Sequence, residues 1–480
     1  MKCRFVPPYL LAAIADRADS RHACLAGQST LEVDTELRRR RVAAPVDQLP
    51  TAAPSTRPAL ARAGGGPRVV RTAHNTERLP GDLVRGDEDP PSGDSAVDEA
   101  HESSGMVLDL FSTQFGRASA DGRSGLLTIT VHYGRNYDNA FWDGGQLVFG
   151  DGDGQIFDRF TKPMDVMAHE FTHAVTQFTA GLAYQGQSGA LNESVSDAFA
   201  SMAKQRSRGE TADQSDWLIG EGIFLPGINA RALRSMREPG TAYDDPQLGR
   251  DPQVASMADY VDTTEDSGGV HINSGIPNRA FALAALGIGG FSWERAGQVW
   301  YDALVAGEVG PQTDFRGFAE ATVSSAARLF PEDPPVAAAV REAWTTVGVL
   351  GTTAAPAAGP APASPAPATP GPTGPAPTGS APAPAAPTVA VRRTGGFAGT
   401  VKAAELDLES APQADEVRQL LTRLSLQQIS TGQVVPDGFV YTVEYGDWRV
   451  TVPEHALTPE LHRVVQLVLD PFSGEGLSLD

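Results

Sequence analysis

The chain has 480 residues, about three times a typical domain of ~150, so two or three domains are expected. Hydrophobic residues at 41% and charged residues at 20% are globular values that allow a sizeable core, while 38 Lys+Arg against 59 Asp+Glu, a net charge of −21, argues against a nucleic-acid or anionic-membrane binder, since both need a basic surface. Cys3 and Cys24 are the only cysteines, so a disulfide framework is excluded beyond residue 24, and no apolar run approaches the ~18 residues of a membrane span.

In chain order, MKCRFVPPYLLAAIADRADS has a basic start and a short apolar run, but Pro7 and Pro8 interrupt it and Asp16 and Arg17 close it too early for a secretory signal. The protein is therefore expected in the cytoplasm or exported by a non-classical route. A basic run, Arg38 to Arg41, leads into residues 43–66, where Pro, Ala and Gly replace periodic apolar residues; this reads as a flexible connection and an easy target for proteolysis. Strand-like alternation appears in LLTITVHYG from Leu126, and after Asp165 the periodicity turns helical in VMAHEFTHAVTQF, NESVSDAFASMAKQ and PNRAFALAALGIGG. Strands followed by helices predict an α+β body of two lobes, a β-rich one at 67–184 and a helical one at 185–350. Residues 351–389 hold 12 of the 37 prolines and have nothing to bury, so they read as a linker. Beyond it, 390–480 form a small α+β unit with strand-like GFVYTVEYG and WRVTV and helical stretches near Glu416 to Leu424 and Leu461 to Leu469.

Within the helical part, His169-Glu170-Phe171-Thr172-His173 puts two histidines one turn apart on a single face, so both imidazoles can reach one ion with a glutamate beside them. Twenty residues after His173 comes Glu193, and His, His and Glu is an established ligand set for a catalytic zinc that keeps its fourth position for water. Asp197, one turn beyond Glu193, is placed to accept the second N–H of a ligating histidine and fix its direction. The bland alternative is an amphipathic helix with surface acids. Zinc there would polarise a scissile carbonyl and acidify a water; Glu170 would take that water's proton and pass it to the leaving amine, which is peptide hydrolysis. His271, after the Gly268-Gly269 turn and ahead of a helix, could donate to the oxyanion with Asp266 orienting it, and Tyr184 is a second donor candidate. Taken alone, a histidine such as His271 is more often structural than catalytic.

The run HEFTHAVTQFTAGLAYQGQSGALNESVSDAFA, with NAFWDGGQLVFGDGDG from Asn139, RSM from Arg234 and GGVHINSGI from Gly268, resembles the thermolysin family of zinc endopeptidases over roughly residues 67 to 350. The resemblance implies that His169, His173 and Glu193 hold Zn2+, that Glu170 is the general base, that Tyr184 and His271 are the transition-state donors, and that Asp197 and Asp266 steady the histidines. It further implies that Asn139 and the backbone of Ala140 pair with an extended substrate and that Arg234 binds a substrate carbonyl on the primed side. Phe157, Phe160, Val166 and Leu233 match a primed-side pocket, and all are apolar, so a large hydrophobic residue just after the scissile bond is expected. Asp165, Asp216 and Glu221 match three acids of the family's paired-calcium cluster, but Lys204 and Leu218 stand at two other positions, so one calcium or none is expected.

Phe5-Val6-Pro7-Pro8-Tyr9-Leu10-Leu11 resembles the short precursor segment of protealysin-like members, where a Pro-Pro motif occupies the cleft until cleavage. Residues 1–42 are then a precursor segment, with self-cleavage expected between about residues 38 and 70; a frayed terminus, or a Cys3 or Cys24 thiolate on the zinc, is the alternative. VRRTGGFAG from Val391, FVYTVEY and a closing Leu-rich helix resemble emfourin-like inhibitors of protealysin-type peptidases, which implies a tethered inhibitor at 390–480. A substrate- or cell-wall-binding module is the alternative there. The whole reads as a monomeric endopeptidase acting on protein or peptide substrates and restrained by its own two ends. A catalytically silent binding protein on the same fold is the competing class.

Overall fold

In the computed structural model, Pro8 starts a helix in the N-terminal apolar run instead of breaking it. A proline at the first helical position already has the required φ and lacks only an N–H that no helix would satisfy there. Helix α1 (Pro8–Arg17) buries Leu10, Leu11 and Ile14, and α2 (Arg21–Val42) packs along it. Gly27 permits that approach, since a Cβ there would lie 3.1 Å from the Leu11 carbonyl oxygen. Residues 3–42, 67–351, 388–395, 402–408, 439–445, 448–453 and 459–469 are described, with residues 414, 417, 418, 420 and 457 besides. The connection at 43–66, nearly all of the linker at 351–389, residues 396–399 of the glycine-rich opening and most of the stretch from Glu416 to Leu424 lie outside the described residues, as do the side chains of Cys3 and Arg38 to Arg41.

The chain divides into two units, Met1–Thr352 and Thr353–Asp480. The first contains a six-stranded sheet built from β1 (Cys3–Arg4), β2 (Arg68–Thr76), β3 (Asp82–Arg85), β4 (Leu127–Tyr133), β5 (Ala140–Trp142) and β6 (Leu147–Phe149), in the order β1-β5-β6-β4-β2-β3. β4 runs parallel to both β2 and β6, and the other pairs are antiparallel. Helix α3 (Ser95–Phe115) packs on β2 and β4; the Asp94 carboxylate caps its first N–H groups and Gly116, at φ 64, ends it. Along β4, Leu127, Ile129 and Val131 join the main core, whereas Tyr133, after a positive φ at His132, joins a second cluster with Tyr137, Phe141 and Val148. Val33 of α2 packs against that second cluster.

Helices α4 (Met164–Gln177) and α5 (Gly186–Arg208) form the most extensive helix pair. α5 ends at Gly209, φ 66, with Arg206 and Arg208 in its last turn, where cations favour the helix dipole. Two short antiparallel pairs follow, β7 (Leu218–Ile219) with β8 (Arg234–Ser235) and β9 (Asp244–Asp245) with β10 (Gly249–Arg250). The helical part is completed by α6 (Asp266–Asn273), α7 (Gly275–Ile288), α8 (Arg295–Val305), α9 (Phe315–Leu329) and α10 (Pro334–Thr346), packed around buried Trp217, Trp300 and Trp344. One core runs from Phe5 to Leu350, so the N-terminal segment shares the core of the body it precedes.

The second unit is a four-stranded antiparallel sheet in the order β12-β11-β13-β14, from β11 (Thr388–Gly395), β12 (Lys402–Asp407), β13 (Phe439–Tyr445) and β14 (Trp448–Pro453). Alternate residues Val389, Val391, Leu406, Tyr441, Val443, Val450 and Val452 form its core with Leu461, Val464, Val465 and Val468 of the helix Pro459–Leu469. The protein is therefore α+β in both units. Among the described residues, no helix is long and apolar enough to cross a membrane.

Candidate active site

Every residue of α4 from Asp165 to Thr176 is buried, so its polar side chains need partners inside the protein. His169 Nδ1 lies 2.9 Å from Asp197 Oδ1. A carboxylate can only accept, so this nitrogen carries the hydrogen and Nε2 is turned the other way. His173 Nδ1 lies 2.8 Å from Asn192 Oδ1 and 3.0 Å from Ser196 Oγ; the Asn192 amide is itself fixed by donating to the Leu182 carbonyl at 3.0 Å. Both rings thus aim Nε2 at one point. The two Nε2 atoms are 3.0 Å apart, with Glu193 Oε2 3.4 Å from that of His169 and Glu193 Oε1 3.5 Å from that of His173.

This donor set fits a cation. His169, Glu170 and His173 offer ligand atoms within 4.8 Å of one another, and Glu193 Oε2 is buried with no hydrogen-bond partner among the described residues, as are both Glu170 oxygens. Burial works against a charged His169, yet the hydrogen bond to Asp197 and the nearby carboxylates of Asp197 and Glu193 push it up to about 9. Burial drives its neighbour His173 down to about 3 and raises Glu170 to about 8. A positive charge is thus wanted between the rings, and a divalent ion with two imidazoles and a carboxylate around it would supply that charge.

Across from the histidines, residues 266 to 269 all have positive φ, including the non-glycines Asp266 (50°) and Ser267 (53°). Such conformations cost about 1–3 kcal/mol each for non-glycine residues and persist where the surroundings impose them. Here they bring the Asp266 carboxylate onto His271 twice, at 2.9 Å from its backbone N and 2.6 Å from its Nδ1. Burial opposes a charge on His271, and the carboxylates of Asp266 and Glu193 raise its pKa. The Tyr184 hydroxyl donates to Glu193 and lies 3.2 Å from His271 Nε2.

The N-terminal segment lies in the cleft these residues line. β1 pairs antiparallel with β5, and the Phe5 N–H continues the ladder by donating to the Ala140 carbonyl at 3.1 Å. Asn139 holds the next residue from both sides: Val6 N–H donates to its Oδ1 at 2.8 Å, and its Nδ2 donates to the Val6 carbonyl at 3.2 Å. Arg234 donates to the Phe5 carbonyl at 3.0 Å, with its guanidinium 4.8 Å from the Phe5 ring centre. His271 Nε2 lies 2.9 Å from the Arg4 carbonyl oxygen, and Phe5 meets the His169 ring edge-on at 5.2 Å. Phe157, Phe160, Val166 and Leu233 are buried in the same core cluster as Phe5. Gly220 forms a wall beside Leu233, since a Cβ there would come within 3.2 Å of both Leu233 and the Phe5 ring.

Asp197 is the shared joint of the site. Besides His169 it accepts two hydrogen bonds from Arg234, each 2.8 Å, and one from Asn278 at 2.8 Å. Burial raises the cost of its charge, but Arg234 and His169 hold it down at about 2. The acids expected near calcium surround an ammonium group: Lys204 Nζ is 2.8 Å from Asp216 Oδ1, 2.8 Å from the Leu218 carbonyl and 3.4 Å from Glu221 Oε2. Arg208 reaches the same two acids at 3.1 and 2.8 Å, and Asp165 Oδ2 accepts the Gly220 N–H at 2.9 Å.

Asn192 and Ser196 stand four apart on α5, each just before a predicted residue, so their shared helical face is a local signal that could have pointed to them. Asn278 and Gly220 are brought in by other elements and carry no local signal.

Residues 67–177 match the family described as thermolysin metallopeptidase, catalytic domain, residues 180–349 the one described as thermolysin metallopeptidase, alpha-helical domain, and residues 391–469 emfourin. The chain is similar to an extracellular metalloprotease of Pectobacterium carotovorum subsp. carotovorum, 48% identical over 349 residues that make up 72% of this chain and 96% of that one. It is 41% identical to thermolysin of Alicyclobacillus acidocaldarius subsp. acidocaldarius over 54% of this chain and 46% of that one. Among solved structures, the precursor of protealysin, a metalloproteinase from Serratia proteamaculans, is 46% identical with a TM-score of 0.64, covering 72% of this chain and all of that one. The chain therefore belongs to the thermolysin family of zinc-dependent metallopeptidases, among its protealysin-like members, and carries an emfourin domain at its C-terminal end.

Proposed function

We propose that this endopeptidase is made as a precursor, cuts peptide bonds on the N-terminal side of large hydrophobic residues, and is restrained by both of its ends. The convergence of His169 Nε2, His173 Nε2 and Glu193 on one point, with Glu170 beside them, carries the catalytic part of this reading. His169, His173 and Glu193 would hold zinc, which supplies polarisation of a carbonyl and acidification of a water. Glu170 takes the water's proton and delivers it to the departing amine. His271 and Tyr184 donate to the oxygen that gains charge, with Asp266 fixing the imidazole. Asp197 orients His169 and Arg234 together, so a substrate carbonyl bound by Arg234 is registered against the metal ligands. Asn139 and Ala140 pair with the substrate backbone.

The side-chain preference rests on Phe5, whose ring is fully buried beside Leu233 and Gly220 while its backbone meets Arg234 and Ala140 as an extended substrate would. The same contacts support the precursor role: a segment so seated leaves no room for another chain. The emfourin domain supports the second restraint, and 390–480 is proposed to inhibit its own enzyme through an intramolecular encounter at an effective concentration up to about millimolar. With Lys204 among Asp216 and Glu221, at most one calcium accompanies the zinc. The working form is a monomer, cytoplasmic or exported. A casein digest with and without chelator tests the reading, run on the full chain and on a chain ending near residue 350. Chelator should stop both digests, and the shorter chain should be the faster; equal rates with an intact tail would favour a binding module at the C-terminal end.

A further inference from the structure

We propose that the Arg4–Phe5 peptide bond is a cleavage site for this enzyme acting on its own chain, held in the polarity of a substrate by a clamp between Arg4 and Asp34. The inference rests on the peptidase reading of the cleft and adds a bond to it. On one side of that bond, the Arg4 carbonyl oxygen lies 2.9 Å from His271 Nε2, the donor assigned to the developing oxyanion. On the other side, the Phe5 N–H donates to the Ala140 carbonyl and the Phe5 carbonyl accepts from Arg234. A chain running the other way would exchange these donors and acceptors, so the antiparallel pairing of β1 with β5 fixes the direction. The bond itself is an ordinary secondary amide. The nearest imide, Val6–Pro7, lies two bonds further on and does not protect it.

The register is held by a buried ion pair. Arg4 Nε is 2.9 Å from Asp34 Oδ2, and the guanidinium also donates to the Asp34 carbonyl. Asp34 in turn accepts from the Tyr137 hydroxyl at 2.6 Å and from Asn139 Nδ2 at 3.3 Å, so the clamp touches a residue that also grips Val6. Asp34 lies on α2 and Phe5 precedes α1, so both sides of the bond are anchored in the same precursor segment. In the reaction, the oxygen of a water bonds to the Arg4 carbonyl carbon and the C–N bond to Phe5 breaks. The proton taken by Glu170 goes to the Phe5 nitrogen, leaving a carboxylate on Arg4 and an amine on Phe5. The cut removes the covalent tie between Arg4 and the rest of the segment, which turns a continuous blocker into one whose leading end can dissociate.

The test uses the full chain, stripped of metal, given zinc and then denatured for intact-mass measurement and N-terminal sequencing. A new terminus at Phe5 is expected, on the whole chain or on a released N-terminal piece, at a rate independent of protein concentration. Glu170→Gln should keep its first four residues, while the backbone amides of Phe5 and Val6 remain protected from hydrogen exchange, a readout that needs no turnover. Asp34→Asn should lose that protection and slow the cut by about tenfold or more. A terminus that stays upstream of Phe5 while the protein digests casein overturns the proposal and leaves the peptidase reading standing; failure of both overturns both. An equal cut in Glu170→Gln, or a rate that rises with protein concentration, would also overturn it, since the cleavage would then come from another molecule.

Discussion

Two acid-rich clusters border helices α4 and α5, and they handle charge in opposite ways. Near the middle of the pair, His169, His173 and Glu193 turn their free atoms toward one another and leave Glu193 Oε2 without a partner among the described residues. Towards the end of α5, Asp216 and Glu221 close around Lys204 and Arg208 instead. The first cluster asks for a cation from outside; the second has covalent cations of its own. Burial opposes the charge on Asp216, but Lys204 and Arg208 hold its carboxyl below the usual range. The lesson is that acid spacing alone does not specify a metal site. Whether a side-chain ammonium reaches the acids first decides it.

The largest effect that would sharpen this contrast is at Glu170, which stands beside the first cluster and is assigned proton transfer instead of metal binding. Glu170→Ala should lower casein hydrolysis by roughly 10²- to 10⁴-fold while zinc content stays at one per chain, measured by elemental analysis on the same sample. Loss of the zinc together with the activity would make Glu170 a ligand and redraw the cluster. Asp197→Asn comes next. It removes a charge that orients His169 and Arg234 at once, so zinc affinity should fall by about 10- to 100-fold in a competition titration.

The second cluster breaks at Lys204. Lys204→Met removes an ammonium that is only 5% exposed and leaves Asp216 and Glu221, both partly open to solvent, with Arg208 as the cation they still share. A destabilisation of about 2 kcal/mol is expected in urea unfolding, below the range for a fully buried pair because water screens the two acids. Added calcium should recover part of that loss in the variant and none in the parent protein. A parent protein whose unfolding midpoint rises steeply with calcium would erase the contrast.

The smallest effect tests a third, half-exposed meeting of acid and base. His132 bridges Asp151 and Asp94 at 2.8 and 3.2 Å; the hydrogen bond to Asp151 raises its pKa against the opposing effect of burial. A raised folded-state pKa means stability that is complete below the unfolded value of about 6.5 and is lost as pH rises through the folded value. His132→Gln should therefore cost about 0.5 kcal/mol at pH 5.5 and close to nothing at pH 9, read from paired unfolding curves.

Much of this site was legible because its chemistry is local. Histidines four apart on a helix must share a face, and Glu193 and Asp197 follow the same rule on the next helix, so the ligand face and its orienting acid could be written down before any fold. The α+β class followed from the switch in periodicity after Asp165. The N-terminal helices were not legible, because Pro7 and Pro8 read as an interruption while Pro8 in fact opens α1. Strand β2 was hidden by its mixed composition: RVVRTAHNT buries few positions and ends in exposed ones. Contacts set by distant elements left no trace in sequence. Asn278 on Asp197, Gly220 under the Phe5 ring and Asp34 on Arg4 each join residues 30 or more apart, and only the assembled fold reveals them.

On the proposed function, the His169, His173 and Glu193 cluster needs an external cation, and this cation is the catalytic one. The direct measurement is a zinc titration of metal-stripped protein with its N-terminal segment removed, following bound zinc and casein hydrolysis together. One zinc per chain should restore full activity, with both curves saturating at the same equivalence and calcium adding nothing. Hydrolysis that persists in the metal-free protein, or activity that stays absent when one zinc is bound, would contradict it.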